Sequence, residues 1–196
     1  MAQDDSREKE QIKIFGLEEY SASNRGASYT PDAKLTVDGT IYEIELKTGN
    51  VSRKTFSTAR GFDENKIKEW KHNDVFIFSL YEKDQTSLGF RFCDHLIATP
   101  ENLSFFFDHV IKTTMTEGHA GKLGSSEYNT LIRPHLAETV CPDVLKKLDK
   151  TVKVGCQYND PKVSWKKLLM SGAVLVDKQR PQEHLKEYLI NLVDKT

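Results

Sequence analysis

Three polar side chains near the start of the chain, Asp32, Glu45 and Lys47, have the types and the spacing of a hydrolytic metal site. Between them lies Asp38-Gly39, a dipeptide that favours the two-residue turn of a β-hairpin, and such a turn places Asp32 directly opposite Glu45. Directly opposed side chains have Cβ atoms about 5 Å apart, so two carboxylates there repel each other unless a cation lies between them. The pair therefore predicts a site for a hard cation. Mg²⁺ fits because one or two carboxylates commonly hold it while water molecules complete its shell.

Lys47 completes this predicted site. Because strand side chains alternate between the two faces of a sheet, Glu45 and Lys47 lie on the same face as Asp32. An ammonium beside a metal-bound water can orient that water or stabilise charge on phosphorus. The three groups predict hydrolysis of a phosphodiester. The competing interpretation is a half-buried strand whose charged face lies in solvent, and alternation alone favours that interpretation.

Pro31-Asp32, followed by Glu45-Leu46-Lys47, resembles the motif of the PD-(D/E)XK nucleases. This superfamily includes type II restriction endonucleases, Holliday junction resolvases and several repair nucleases. The resemblance covers about residues 5–81 as an order of elements: a helix, a hairpin that carries the motif, a helix and a strand. It implies that Asp32 and Glu45 bind Mg²⁺ and that Lys47 lies beside the attacking water. It also implies in-line attack on phosphorus that leaves a 5′-phosphate.

Many members of the superfamily also carry an acidic residue on the helix that precedes the motif. Glu19 fits that position best, because it shares a helix face with Ile12 and Phe15 at helical spacing, whereas Glu18 points elsewhere. Glu19 is therefore a further catalytic candidate. The alternative, equally open, is that Glu19 only ends the helix, which Gly16 weakens.

Basic residues near the motif are predicted to contact DNA. The densest stretch contains Arg53, Lys54 and Arg60, and such side chains contact phosphates or, for arginine, guanine. Lys122, in the glycine-rich loop 118–126, is a further candidate if that loop closes on DNA; an ordinary surface loop is the alternative. The loop is not a Walker A sequence, because Leu123 stands where Ser or Thr should follow Gly-Lys. No nucleotide cofactor is therefore expected.

The elements around these residues predict an α/β fold. Helices are expected from Asp5, over Glu64–Lys71 and from Pro100, and strands over residues 31–37, 40–47, 74–81 and 88–98. The strand at 74–81 is almost entirely apolar, which predicts burial on both faces. Together the elements predict a mixed β-sheet flanked by helices, similar to the restriction-endonuclease core.

The last third of the chain has a different pattern. Residues 1–115 are interpreted as the nuclease core, and residues 116–196 as a mostly helical part that packs on it as one domain and shapes DNA specificity. A short strand at 151–156 and a helix over Val163–Ser171, ended by Gly172, are expected there. Trp165-Lys166-Lys167 leaves two interpretations open: contact with nucleic acid, and a buried tryptophan on an amphipathic helix.

The composition sets limits on the class of protein. The chain has 196 residues, with 28 Lys+Arg against 29 Asp+Glu, so a uniformly basic coat is excluded and a local basic cleft is not. With 38% hydrophobic residues it can bury a core, and no apolar run has the length of a membrane span. Its cysteines, Cys93, Cys141 and Cys156, are widely spaced and form no CxxC pair. They predict reduced thiols and a cytoplasmic location.

The sequence therefore predicts a Mg²⁺-dependent endonuclease that cuts double-stranded DNA, most similar to a type II restriction enzyme. Cutting both strands needs two active sites, so a homodimer matched to a palindromic target is expected. A Holliday junction resolvase or repair nuclease on the same fold is the first alternative. A DNA-binding protein that lacks catalysis is an alternative of another class.

Overall fold

The computed structural model describes residues 2–19, 31–58, 64–116, 133–139, 141–146 and 162–193. It is a mixed α/β structure with helices packed on a six-stranded mixed sheet. The elements are α1 (Ala2–Phe15), β1 (Glu18–Glu19), β2 (Ala33–Val37), β3 (Thr40–Asn50), β4 (Thr55–Ser57), α2 (Glu64–Trp70), β5 (Val75–Lys83), β6 (Phe90–Ala98), a 3₁₀ turn (Glu101–Leu103), α3 (Ser104–Thr116), α4 (Arg133–Thr139), β7 (Lys162–Ser164), α5 (Trp165–Met170), β8 (Val174–Leu175) and α6 (Pro181–Val193). Residues 142–146 are also helical.

The six strands follow the order β1-β2-β3-β5-β6-β8. β3 and β5 run parallel, and every other neighbouring pair in this sheet is antiparallel. The predicted hairpin is confirmed: Val37 pairs with Thr40 across Asp38 and Gly39, whose φ angles of 50° and 82° are both positive, as a type I′ turn requires. β4 and β7 pair with each other in a separate antiparallel ribbon.

Each face of the sheet carries its own apolar core. On one face, here called the back face, α1 and α6 bury Phe15, Leu185 and Leu189 against Ile44 and Ile77. On the other, the front face, α2, α3, α5 and the ribbon enclose a second set of buried side chains: Phe56, Ile67, Trp70, Phe76, Phe78, Phe106, Val163 and Leu168 among them. Residues 75–80 of β5 are all buried, so the predicted burial of that strand on both faces is confirmed.

The first helix ends four residues before Glu19, so its predicted extension to that residue is wrong. Gly16 has a φ of +62°, and the amides of Gly16 and Leu17 bond back to the carbonyls of Lys13 and Ile12, at 3.3 and 2.9 Å. This is the Schellman arrangement, in which a left-handed glycine satisfies the last carbonyls of a helix. The chain therefore leaves the helix at Gly16 and enters β1.

The C-terminal segment contributes to both faces of the sheet. The helix predicted over Val163–Ser171 begins later, at Trp165, because residues 162–164 pair with β4, and Ser164 Oγ accepts a bond from the Lys167 amide as its N-cap. Gly172, with a φ of +95°, follows the end of that helix as predicted. The strand expected at 151–156 lies outside the described residues. None of the helices in the described ranges is long and apolar enough to cross a membrane.

A buried polar network lies on the back face. Gln11 Nε2 donates to Ser79 Oγ at 2.7 Å, and Ser79 Oγ lies 2.7 Å from His95 Nδ1. Burial lowers the pKa of His95 to about 4; the charge of Asp94 opposes the shift and that of Lys178 adds to it. The native protein therefore holds this imidazole neutral.

We expect this histidine to make the protein less stable in mild acid. Between pH 6.5 and 4 the unfolded chain binds a proton at His95 that the folded chain does not, so the free energy of unfolding should fall by up to about 3 kcal/mol as the pH drops through that window. Urea unfolding at pH 7 and pH 4.5 measures the change. His95→Gln should reduce this loss of stability between the two pH values. An identical pH dependence in that variant would show that His95 is not its source.

Candidate active site

The hairpin register brings Asp32 and Glu45 to the same place. The observed ladder runs from Val37 opposite Thr40 to Ala33 opposite Ile44. Asp32 and Glu45 follow the last pair, and Lys47 Nζ contacts both of their carboxylates. This register, predicted from the Asp38-Gly39 turn, is confirmed. Both carboxylates lie on the front face, beside the core that α2 covers.

The backbone of β3 holds the Asp32 carboxylate. Asp32 lies in a bend just before β2, and its Oδ2 accepts a hydrogen bond of 2.8 Å from the Leu46 amide. Its side chain is 26% exposed, whereas that of Glu45 is 8% exposed. One carboxylate of the pair thus faces solvent at the end of the hairpin and the other lies within the protein.

The cation between the two acids is Lys47 itself. Its Nζ lies 2.5 Å from Glu45 Oε1 and 3.4 Å from Asp32 Oδ2, and it donates to the Leu46 carbonyl at 2.9 Å. The indole ring of Trp70 completes the surroundings, with its centroid 5.6 Å from Nζ. The like-charge conflict that the hairpin creates is therefore relieved by a residue of the same strand.

These contacts determine the charge of Lys47. Burial acts to lower its pKa, but the charges of Glu45 and Asp32 and their hydrogen bonds outweigh burial and raise the pKa above its usual value. Lys47 is therefore an ammonium at neutral pH. It can donate hydrogen bonds and stabilise negative charge, and it cannot accept a proton.

The donor set fits a hard divalent cation. Both acids offer carboxylate oxygens, and within the part of the chain that the structure describes Asp32 Oδ1 accepts no hydrogen bond. The described residues contain no group of three or more His, Cys, Asp or Glu side chains placed to hold a metal. A Mg²⁺ ion held here would therefore take Asp32 and Glu45 as its protein ligands, with water or substrate oxygens at its other positions.

The structure does not bring Glu19 to this cluster. Glu18 pairs with Lys34 and Glu19 with Ala33, and paired residues share a face. Glu18 therefore lies on the front face, where Lys34 Nζ is 3.1 Å from its carboxylate, and Glu19 lies on the back face. The interpretation that Glu19 rather than Glu18 faces the site is wrong, because the helix that carried the spacing ends at Phe15. Its catalytic role stays a prediction.

The predicted DNA-contacting residues are described only in part. Arg53 and Lys54 are exposed in the turn after β3, where their amides both bond to the Asn50 carbonyl. Arg60 and Lys122 lie outside the described residues. Their predicted contacts with DNA stay predictions.

Gly49 sets the distance between the site and the ribbon. It lies on the same face of β3 as Lys47, and a Cβ added to it would meet the Thr55 carbonyl oxygen at 2.5 Å and a Phe56 ring carbon at 2.9 Å. Only glycine lets β4 approach the strand this closely. The ribbon is therefore held against β3 two residues along the strand from Lys47, the nearest member of the Asp32–Glu45–Lys47 cluster.

We expect Gly49→Ala to push the ribbon away from β3. The overpacked Cβ should lower the free energy of unfolding by about 1–3 kcal/mol. Chemical denaturation measures this, with Ser57→Ala as the control, because Ser57 is exposed on β4 and its change should stay within about 0.5 kcal/mol. Equal stability of Gly49→Ala and the wild type would show that the ribbon does not depend on this contact.

Comparison with known proteins identifies no family: the chain matches no protein-family model and no curated protein sequence.

Two contacts of the Asp32–Glu45–Lys47 cluster could not be predicted from the sequence. The Leu46 amide and the Trp70 ring both lie against the charged groups. The Leu46 contact could not be predicted because every residue except proline has a backbone N–H, so the residue type gives no signal. The Trp70 contact could not be predicted because it depends on how α2 packs on the sheet.

Proposed function

We propose that the chain is a Mg²⁺-dependent DNA endonuclease with a restriction-endonuclease-like fold and that Asp32, Glu45 and Lys47 form its active site. The observation that carries the proposal is the convergence of two carboxylates and an ammonium at the end of one hairpin. The order α1, β2–β3 hairpin, α2, β5 also agrees with the order of elements expected from the motif.

Each residue of the cluster has a separate role in the proposed hydrolysis. Asp32 and Glu45 would hold the ion, which when bound acts as a Lewis acid and lowers the pKa of a bound water molecule. The Leu46 amide fixes Asp32, and Lys47 keeps Glu45 in place. In the structure the three N–H donors of Lys47 go to Glu45, Asp32 and the Leu46 carbonyl. When the two carboxylates bind an ion instead, donors of this ammonium would be released for the attacking water or a phosphate oxygen, where its charge would stabilise the charge that develops on phosphorus.

Double-stranded DNA is the proposed substrate, cut by a homodimer in the manner of a type II restriction enzyme. A junction-resolving or repair nuclease on the same core is the first alternative. A DNA-binding protein without catalysis is favoured by one observation, the contact of Lys47 with both carboxylates, since an internal cation already neutralises part of their charge.

Incubation with DNA separates these functions. Purified protein is mixed with supercoiled plasmid in Mg²⁺, in Ca²⁺ and in EDTA, and in parallel with a synthetic four-way junction. Discrete plasmid fragments in Mg²⁺ alone support the restriction enzyme, and cleavage confined to the junction supports the resolvase. Intact DNA in every arm would contradict the nuclease assignment and leave the binding protein.

A further inference from the structure

The ribbon and the start of α5 bring basic residues from two distant parts of the chain onto one surface. Residues 51–58 and 162–171 contain five basic side chains and no acidic one, although acidic and basic residues are almost equal in number over the whole chain. We call this the ribbon surface; its basic residues are Arg53, Lys54, Lys162, Lys166 and Lys167. All five are exposed.

Backbone contacts fix the two segments together. Ser57 pairs with Lys162 and Thr55 with Ser164, and the Trp165 amide donates to the Lys54 carbonyl at 3.0 Å. Lys54 has a φ of 51°, a conformation uncommon for a residue other than glycine. The turn that carries Arg53 is therefore held against the start of α5.

The positive charge of this surface is not neutralised within the described ranges. None of the five basic side chains forms an ion pair with a described carboxylate, whereas Lys34, Arg91, Lys178 and Arg180 each do. Lys167 instead has its Nζ 5.7 Å from the centroid of the Phe105 ring. A surface of this kind attracts a polyanion.

The location of the surface favours DNA as that polyanion. β4 contacts β3 at Gly49, two residues along the strand from Lys47, so a duplex bound at the cluster would lie close to the ribbon. Hydroxyl side chains lie on the same two segments, at Thr55, Ser57 and Ser164, and hydroxyls with lysines and arginines are the usual partners of phosphates.

We propose that the ribbon surface binds the sugar–phosphate backbone of double-stranded DNA and holds the duplex beside the active site. This rests on the proposed function and extends the contacts predicted for Arg53 and Lys54 to Lys162, Lys166 and Lys167. Contacts of this type set affinity and register, and they make binding depend steeply on salt.

Fluorescence anisotropy with a labelled duplex, in EDTA so that cleavage cannot occur, tests the proposal. In Lys166→Glu/Lys167→Glu the affinity should fall at least about 10-fold at 0.1 M salt, and the slope of log K against log salt should become shallower by about 2, since each phosphate contact contributes about 0.9. Lys9→Glu/Lys186→Glu is the matched control, because both lysines are exposed on helices of the back face. That control should keep most of the wild-type affinity and slope.

The outcomes separate this proposal from the nuclease assignment. Loss of affinity in the ribbon variant alone supports the ribbon surface even if the plasmid stays intact. Equal affinity and slope in the ribbon variant, its control and the wild type would overturn it even if the plasmid is cut. Binding to vesicles that contain phosphatidylserine, without binding to DNA, would also overturn it. Vesicles are included because Leu169 and Met170 are exposed at the end of α5, and apolar side chains beside lysines can also bind an anionic membrane. If the charge reversal disturbs folding, Lys166→Gln/Lys167→Gln replaces it. This milder change should also lower the affinity for the duplex, by a smaller factor.

Discussion

Replacing Lys47 by alanine is expected to lower DNA cleavage by at least about 100-fold, the size typical for loss of one donor that stabilises transition-state charge. Binding of DNA should change little, because Lys47 lies between Asp32 and Glu45 and not on the ribbon surface. The same variant should bind a divalent ion more tightly, since two carboxylates lose their internal cation. Cleavage rate, duplex affinity in EDTA and Mn²⁺ affinity are measured on the same preparation.

Lys34→Ala is the control for that experiment. Lys34 lies on the same face of the same hairpin and pairs with Glu18, outside the cluster. It should cleave at close to the wild-type rate. Wild-type turnover in Lys47→Ala, with circular dichroism showing that both variants are folded, would remove Lys47 from the mechanism.

Asp32→Asn is expected to have an effect of similar size on cleavage, about 100-fold or more, because it removes one of the two proposed charged metal ligands at constant size. An asparagine can still accept the hydrogen bond from the Leu46 amide, so the hairpin should stay intact. The loss should be partly relieved by raising the Mg²⁺ concentration, which a titration of the cleavage rate measures.

The control for this second prediction is Asp38→Asn. It makes the same chemical change in the same hairpin, at an exposed turn position whose positive φ asparagine tolerates well. Cleavage should remain near the wild-type rate. If the two asparagine variants have the same rate at every Mg²⁺ concentration, Asp32 is not a metal ligand.

The features of the site that depend on local chemistry could be predicted from the sequence. Asp38-Gly39 determines the turn, the turn determines the register, and alternation then places Asp32, Glu45 and Lys47 on one face. The need for a cation between the acids was also predictable. That Lys47 itself supplies it depends on how its side chain bends back onto Glu45, which spacing alone does not specify.

The features that depend on distant contacts could not be predicted. β4 is only three residues long, too short to show the alternating pattern of a strand. It forms by pairing with β7, more than a hundred residues away in the chain, and local sequence does not indicate such a pairing. The position of Glu19, by contrast, depends on local chemistry: Gly16 is a standard signal for the end of a helix, and Glu19 lies beyond it, where helical spacing no longer applies.

The central claim is that the acids at positions 32 and 45 together bind one divalent ion. Electron paramagnetic resonance of free Mn²⁺ titrated with protein measures this without DNA or cleavage. The wild type and Asp38→Asn should each bind one ion per chain with saturation in the millimolar range or below, and Asp32→Asn and Glu45→Gln should each lose that binding. Absence of saturable binding in the wild type, or equal binding in all four proteins, would contradict the claim.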